Sequence, residues 1–252
     1  MRALVRPLVD RPQADTRLFC FPYAGGGISA FREWGAALPD DIEPWGIQLP
    51  GREDRLGTPP LDRMGDVLNA LVPALIPYLD RPFAFFGHSM GGLVAWNLTC
   101  SLQRMEAGSP TRLFVSGCAP PQARDASAPQ YHESPDDELI EKLRSWQATP
   151  EAVLADPELM ALLLPAIRAD LAVIETYRYT GAPLLNCPVS AFGGTEDEAA
   201  GNAALPRWGE LTTGGFDLRM FRGDHFFLHS ARPAVLAEIA GLLSATAQRS
   251  GR

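Results

Sequence analysis

Pro82-Phe83-Ala84-Phe85-Phe86-Gly87-His88-Ser89-Met90-Gly91-Gly92-Leu93-Val94-Ala95-Trp96 decides the fold. Residues 82–86 are a short apolar run of the kind that forms a strand covered on both faces. Residues 91–96 open a helical pattern that continues through Thr99 and Cys100. Between the two, Gly87-His88-Ser89-Met90-Gly91 fits G-x-S-x-G. The pentad alone is a weak signal, since a glycine-rich turn at this place can bind a phosphate or nothing. Its flanks favour a nucleophile elbow, which needs a strand, a sharp turn and a helix. The turn strains the serine and crowds its neighbours, so glycines are wanted two residues to either side.

Working outward, further short apolar runs bounded by Gly or Pro read as strands at residues 17–21, 44–49, 113–116, 189–192 and 217–221, with the run before Ser89 read as 83–86. Helical patterns fill the gaps. Phe31, Trp34 and Leu38 share a face, and Leu68, Leu71, Leu75 and Leu79 mark a helix with Pro73 and Pro77 as possible kinks. Near the end, Pro233 suits a first turn before Leu236, Ile239, Leu242 and Leu243. This alternation predicts a mainly parallel sheet with helices on both faces, which with the elbow at Ser89 reads as an α/β-hydrolase fold, residues 1–252 forming one domain. Residues 119–186 break the rhythm. They show no strand, but they hold helix starts at Ser134-Pro135-Asp136-Asp137 and Asp156-Pro157-Glu158. A helical insertion there reads as a lid over the ligand-binding edge of the sheet, or as a helical subdomain without a gating role.

The 252 residues carry a net charge of -8, which gives no general reason to bind nucleic acid or an anionic membrane. Cys20, Cys100, Cys118 and Cys187 are far apart and form no CxxC, so they read as buried free thiols rather than a metal or redox set. There is no signal-peptide pattern and no apolar run of about 18 residues, so a soluble cytoplasmic protein is expected.

A serine hydroxyl needs a base. The histidines are His88, His132, His225 and His229. His88 adjoins the serine and His132 lies at the start of the insertion. His225 follows the last strand, where the histidine of this fold belongs, and is preferred to His229. The acid should follow the preceding strand, in Gly193-Gly194-Thr195-Glu196-Asp197-Glu198, where Asp197 and Glu196 are both candidates. Asp224 is too close in sequence to His225 to bond its ring. For the oxyanion hole, the N–H of Met90 is one donor, and Ala24 in the loop Phe21-Pro22-Tyr23-Ala24-Gly25-Gly26-Gly27 is the other.

Five blocks in order, Phe21-Pro22-Tyr23-Ala24-Gly25-Gly26, Gln48-Leu49-Pro50-Gly51-Arg52-Glu53, Phe86-Gly87-His88-Ser89-Met90-Gly91-Gly92, Phe192-Gly193-Gly194 and Gly223-Asp224-His225-Phe226-Phe227-Leu228, cover nearly the whole chain. In these the chain resembles the stand-alone type II thioesterases of polyketide and nonribosomal peptide synthesis. The resemblance implies hydrolysis of aberrant or stalled acyl groups held on the phosphopantetheine of acyl or peptidyl carrier proteins. It also implies Ser89, Asp197 and His225 as the triad, Ala24 and Met90 as the oxyanion hole, a mobile helical lid, and no metal or cofactor of the chain's own. A monomer is expected. Docking of acidic carriers would call for a basic patch, with Arg52, Arg55, Arg168 and Arg178 as candidates, unless these are merely solvated charges. The rival readings are a carboxylesterase or a chain-terminating fatty-acyl thioesterase with the same triad, and a non-catalytic ligand-binding hydrolase fold.

Overall fold

The computed structural model describes residues 3–124, 127–146, 149–198 and 202–250, with only the backbone for 247–250. The strands are β1 (Val5–Pro7), β2 (Thr16–Phe21), β3 (Ile42–Ile47), β4 (Phe83–His88), β5 (Arg112–Ser116), β6 (Val189–Gly194) and β7 (Phe216–Phe221). They form one sheet in the order β1-β3-β2-β4-β5-β6-β7, parallel except for β1, which runs antiparallel to β3. All six strands read from sequence are present, their ends shifted by at most two residues. β1 went unread because three residues, of which only Val5 is buried, carry no alternation to detect.

Side chains alternate across the sheet, and each face has its own core. Phe19, Phe21, Phe85, Leu113 and Val115 pack with Leu71 of α2 (Met64–Leu75) and with Leu93 and Trp96 of α3 (Met90–Arg104). Leu18, Cys20, Ala84, Phe86 and Phe114 pack on the other face with Trp34 of α1 (Trp34–Ala37) and with Leu236 and Ile239 of α8 (Arg232–Ser250). Two apolar faces per strand are why β2, β4 and β5 read as unbroken hydrophobic runs. α2 passes through Pro73 and tightens into a 3-10 turn, Ile76–Tyr78, around Pro77.

The insertion between β5 and β6 contains α4 (Asp136–Ser145), α5 (Glu151–Leu154) and α6 (Pro157–Glu175). Residues 125, 126, 147 and 148 of the 119–186 segment lie outside the described residues. α6 starts as its sequence demands. The Asp156 carboxylate accepts the N–H groups of Glu158 and Leu159, and Pro157 takes the first position, where no donor is needed. α4 has no side-chain cap but carries Asp136, Asp137 and Glu138 in its first turn and Lys142 and Arg144 in its last, matching the helix dipole. The three helices share a small core of Leu139, Leu143, Leu154, Met160, Leu164, Ile167 and Leu171. The segment expected to hold no strand makes one isolated parallel bridge, Leu185 to Thr212.

The chain runs outward from β2 to β3, then crosses to the other side of β2 for β4. Such a reversal opens a crevice at the carboxyl ends of the two strands, where ligands bind in open α/β sheets. Phe21 pairs with Gly87, so the loop after β2 and the turn after β4 emerge side by side at that edge.

Candidate active site

Ser89 sits between β4 and α3 with φ 53° and ψ -117°, a left-handed conformation that costs a non-glycine residue strain. Its N–H donates to the Ser116 carbonyl at the end of β5, at 2.7 Å. The flanking glycines are forced by close backbone approach. A Cβ on Gly87 would lie 2.1 Å from the Gly91 carbonyl oxygen, and one on Gly91 would lie 2.1 Å from that of Phe21. Met90 opens α3, so its N–H is among the first amides of the helix, which have no carbonyl one turn earlier within it.

His225 hangs from the loop between β7 and the short helix α7 (Phe227–Ser230), and Asp197 from the loop after β6. His225 Nδ1 lies 2.9 Å from Asp197 Oδ2, whose side chain is wholly buried, while the imidazole keeps one open edge. A hydrogen bond to the carboxylate places the proton on Nδ1 and leaves Nε2 as the basic nitrogen. A Cβ on Gly117, the residue after Ser116, would come within 3.2 Å of His225 Cε1, so the ring lies at the end of β5, beside the end of β4 that carries Ser89. Glu196, the alternative acid, is exposed. Asp224 uses its carboxylate on the Phe226 N–H at 2.8 Å.

On the other side of Ser89, Tyr23-Ala24-Gly25-Gly26 forms a turn. The Gly26 N–H donates to the Tyr23 carbonyl at 2.9 Å, and Gly25 takes the positive φ of 76° that the third position of a type II turn requires. The Ala24 N–H lies outside the turn's own hydrogen bond. The five residues singled out in the sequence, Ser89, Asp197, His225, Ala24 and Met90, are thus gathered at one edge of the sheet.

Residues 16–243 match the thioesterase domain family. The chain is 43% identical to the gramicidin S biosynthesis protein GrsT of Aneurinibacillus migulanus, over 87% of this chain and 85% of that protein. It is 32% identical to the medium-chain S-acyl fatty acid synthase thioesterase of Rattus norvegicus, over 88% and 84%. The solved structure of the type II thioesterase BorB from the borrelidin biosynthetic cluster superposes with a TM-score of 0.87 at 35% identity, over 96% of this chain and 98% of that one. The chain belongs to the thioesterase family.

The electrostatics of this thioesterase separate its histidines. His88 is fully buried, with Nδ1 2.9 Å from Ser116 Oγ and its ring centroid 5.0 Å from that of His225. Burial first, and the charge His225 can carry second, hold its pKa well below the usual histidine value, so it is a neutral wall beneath His225. His229 approaches the Tyr23 hydroxyl at 3.3 Å, and burial and then Arg232 lower its pKa. His132 bonds Glu175, whose carboxylate also accepts the N–H groups of Tyr131 and His132 and so ties this loop to α6. All four cysteines are buried free thiols, as read from sequence. Burial pushes Cys118, beside the elbow helix at Gly92, up to about 11, so it is no nucleophile at neutral pH. Among the described residues no three His, Cys, Asp or Glu side chains converge as a metal site would require, and no helix is long and apolar enough to cross a membrane.

A cavity of about 530 Å³ opens between the core and α5, its wall including Tyr23, Leu154, Phe226 and His229 and the paired Arg144 and Glu151. Tyr23 precedes Ala24 and Phe226 follows His225, so both halves of the site reach its wall.

The structure removes two of the four arginines expected for docking, Arg52 and Arg168, and leaves Arg55 half-buried. Arg52 is 2% exposed and forms a two-pronged ion pair with the buried Asp170 of α6. Arg168 is engaged by the His132 carbonyl and by Asp136. Arg178 stays exposed, bonded to the carbonyls of Glu175 and Tyr177. Asp170 was missed in the sequence. Its signal is a carboxylate three residues after Ile167 and three before Val173, on the buried face of a helix.

Proposed function

We propose that this thioesterase removes stalled or aberrant acyl groups from the phosphopantetheine arm of acyl or peptidyl carrier proteins of a modular synthase. The observation that carries the reading is the 2.9 Å contact of His225 with buried Asp197 over a strained Ser89, in a chain of this family. Ser89 Oγ attacks the thioester carbonyl while His225 Nε2 takes its proton. The N–H groups of Met90 and Ala24 bind the oxyanion of the tetrahedral intermediate. Collapse expels the pantetheine thiol, protonated by His225. Water then attacks the acyl-enzyme, gives its proton to His225, and the freed acid leaves Ser89 restored. Asp197 fixes the ring tautomer and stabilises the imidazolium. Residues 119–186 act as the lid, and the cavity beside α5 admits the arm. The phosphopantetheine belongs to the partner, and the chain needs no cofactor of its own. The reading places a monomer in the cytoplasm beside its synthase, with half-buried Arg55 and exposed Arg178 the remaining basic candidates for docking.

The test is a panel of carrier proteins loaded with acetyl, propionyl, malonyl and longer acyl groups, followed by intact-protein mass. Short acyl groups should be released by the wild type and retained with Ser89→Ala. The similarity to a medium-chain fatty acid synthase thioesterase favours one second reading, chain termination. Faster release of medium-chain than of short acyl groups would select it. Faster turnover of simple oxygen esters than of every thioester would remove the editing role.

A further inference from the structure

Residues 48–53, Gln-Leu-Pro-Gly-Arg-Glu, take no part in the chemistry of Ser89, yet they lie directly behind the glycine loop. Gln48 Oε1 accepts the Ile28 N–H at 2.7 Å, and its Nε2 donates to the Arg52 carbonyl at 3.1 Å. Glu53 Oε1 accepts the Ser29 hydroxyl at 2.6 Å. The Arg52 guanidinium donates to the Gly26 carbonyl at 3.1 Å and to both oxygens of Asp170, at 2.5 and 2.8 Å. Asp170 Oδ2 also accepts the Gly25 N–H at 2.7 Å. Both charged side chains are almost fully buried, 3% and 0% exposed. Ile167, one turn earlier in α6, packs so tightly on Gly25 that a Cβ there would come within 2.9 Å of it.

One buried ion pair therefore grips the glycine loop twice, at the Gly25 N–H through the carboxylate and at the Gly26 carbonyl through the guanidinium. Ala24 directly precedes Gly25, and only its own φ and ψ separate its N–H from the gripped peptide. We infer that Arg52 and Asp170 are positioning residues that aim the Ala24 N–H and make the oxyanion hole depend on α6 being seated. The inference rests on the assignment of Ala24 as a donor in the proposed mechanism. It gives the insertion a second task besides covering the site. If α6 lifts, the carboxylate leaves Gly25, Arg52 is left without its counter-charge, and the oxyanion donor loses its aim. Hydrolysis is then confined to the seated state.

The experiment compares wild type, Asp170→Asn and the apolar pair Arg52→Met/Asp170→Leu. Apolar replacement of both members of a buried ion pair often preserves or raises stability, so the double variant separates stability from aim. The expected result is a kcat lowered about 10- to 100-fold in both variants, as for small misplacements of a reacting geometry, with KM within about two-fold. The affinity for a trifluoromethyl ketone, which forms a tetrahedral oxyanion on Ser89, should fall by the same factor as kcat/KM. A double variant that recovers both melting temperature and kcat would overturn the inference. Should the variants not fold, amide exchange in the wild type decides. The Gly25 N–H should exchange only together with the α6 amides, and fast exchange at Gly25 while α6 stays protected would overturn the coupling. p-Nitrophenyl acetate serves as substrate beside an acyl-carrier thioester, so failure on carriers leaves this test intact. A wild type inactive on both substrates would instead sink the hydrolase reading, with amide exchange still deciding the coupling.

Discussion

The two sides of the active site are held in different ways. Ser89, Asp197 and His225 hang from the ends of β4, β6 and β7, and each is fixed by what lies next to it: a strained turn, a neighbouring carbonyl, one carboxylate. The glycine loop facing them contributes backbone alone, and it is fixed by side chains from distant chain, Arg52 and Asp170 being 118 residues apart. The serine and the histidine need an open edge, whereas Asp197 behind them is sealed. Side chains that hold a backbone donor can be sealed away, and here they are charged as well. Substitution on the first side should remove a reaction step and little stability, whereas substitution on the second should remove both.

The largest effects belong to the reacting side. His225→Ala should lower kcat by about 10⁴- to 10⁶-fold, the range for loss of a base that acts as a unit with its serine. Its thermal midpoint should fall less than that of Asp170→Ala, because the imidazole is only partly buried, although the buried Asp197 loses this contact. Loss of activity in His229→Ala with retention in His225→Ala would reverse the assignment. Asp197→Asn should cost about 10⁴-fold by favouring the wrong imidazole tautomer, and Glu196→Gln should cost almost nothing. Single-turnover hydrolysis of one acyl thioester measures all of them.

The same contrast governs what could be read in the sequence. The reacting side was legible because its signals are local. A strand, a glycine-flanked serine and a helix occupy one stretch of 15 residues, 82–96, and His225 and Asp197 follow identifiable strands. Asp197 was preferred to Glu196 there but not fixed, because adjacent loop residues differ only in which one turns inward, and burial of Asp197 is a tertiary fact. On the holding side, Arg52 was taken for a docking charge. Nothing within residues 48–53 reveals that a carboxylate from α6 meets it, since that depends on how the insertion folds back over the sheet. β1 escaped for the opposite reason, being too short to carry any pattern.

An intermediate effect tests the holding side through stability. Asp170→Ala leaves Arg52 buried without its counter-charge and the Gly25 N–H without an acceptor. Removal of one partner of a buried pair costs about 3–5 kcal/mol. Urea denaturation should show that loss, against less than about 1 kcal/mol for Arg207→Ala, whose pairing with Glu210 is solvent-exposed. Equal midpoints for the two variants would mean that the ion pair does not anchor α6, and the contrast between the two sides would collapse.

The smallest effect asks whether the reacting side is as free of burial costs as that contrast makes it. Besides the buried Asp197, that side holds His88, a fully buried imidazole against His225 with its pKa well below the usual value. In the unfolded chain it titrates near about 6.5. Below that pH the unfolded state binds a proton that the folded state refuses, so stability is complete above about pH 6.5 and falls as the pH drops toward the depressed folded value. The slope contributed by one such group cannot exceed about 1.4 kcal/mol per pH unit. Urea midpoints of wild type and His88→Gln from pH 7.5 to 5 should therefore diverge in slope, the variant being flatter on acidification by up to that amount. Parallel slopes would mean that His88 is protonated as easily in the fold as outside it, and that the wall beneath His225 carries charge when His225 does.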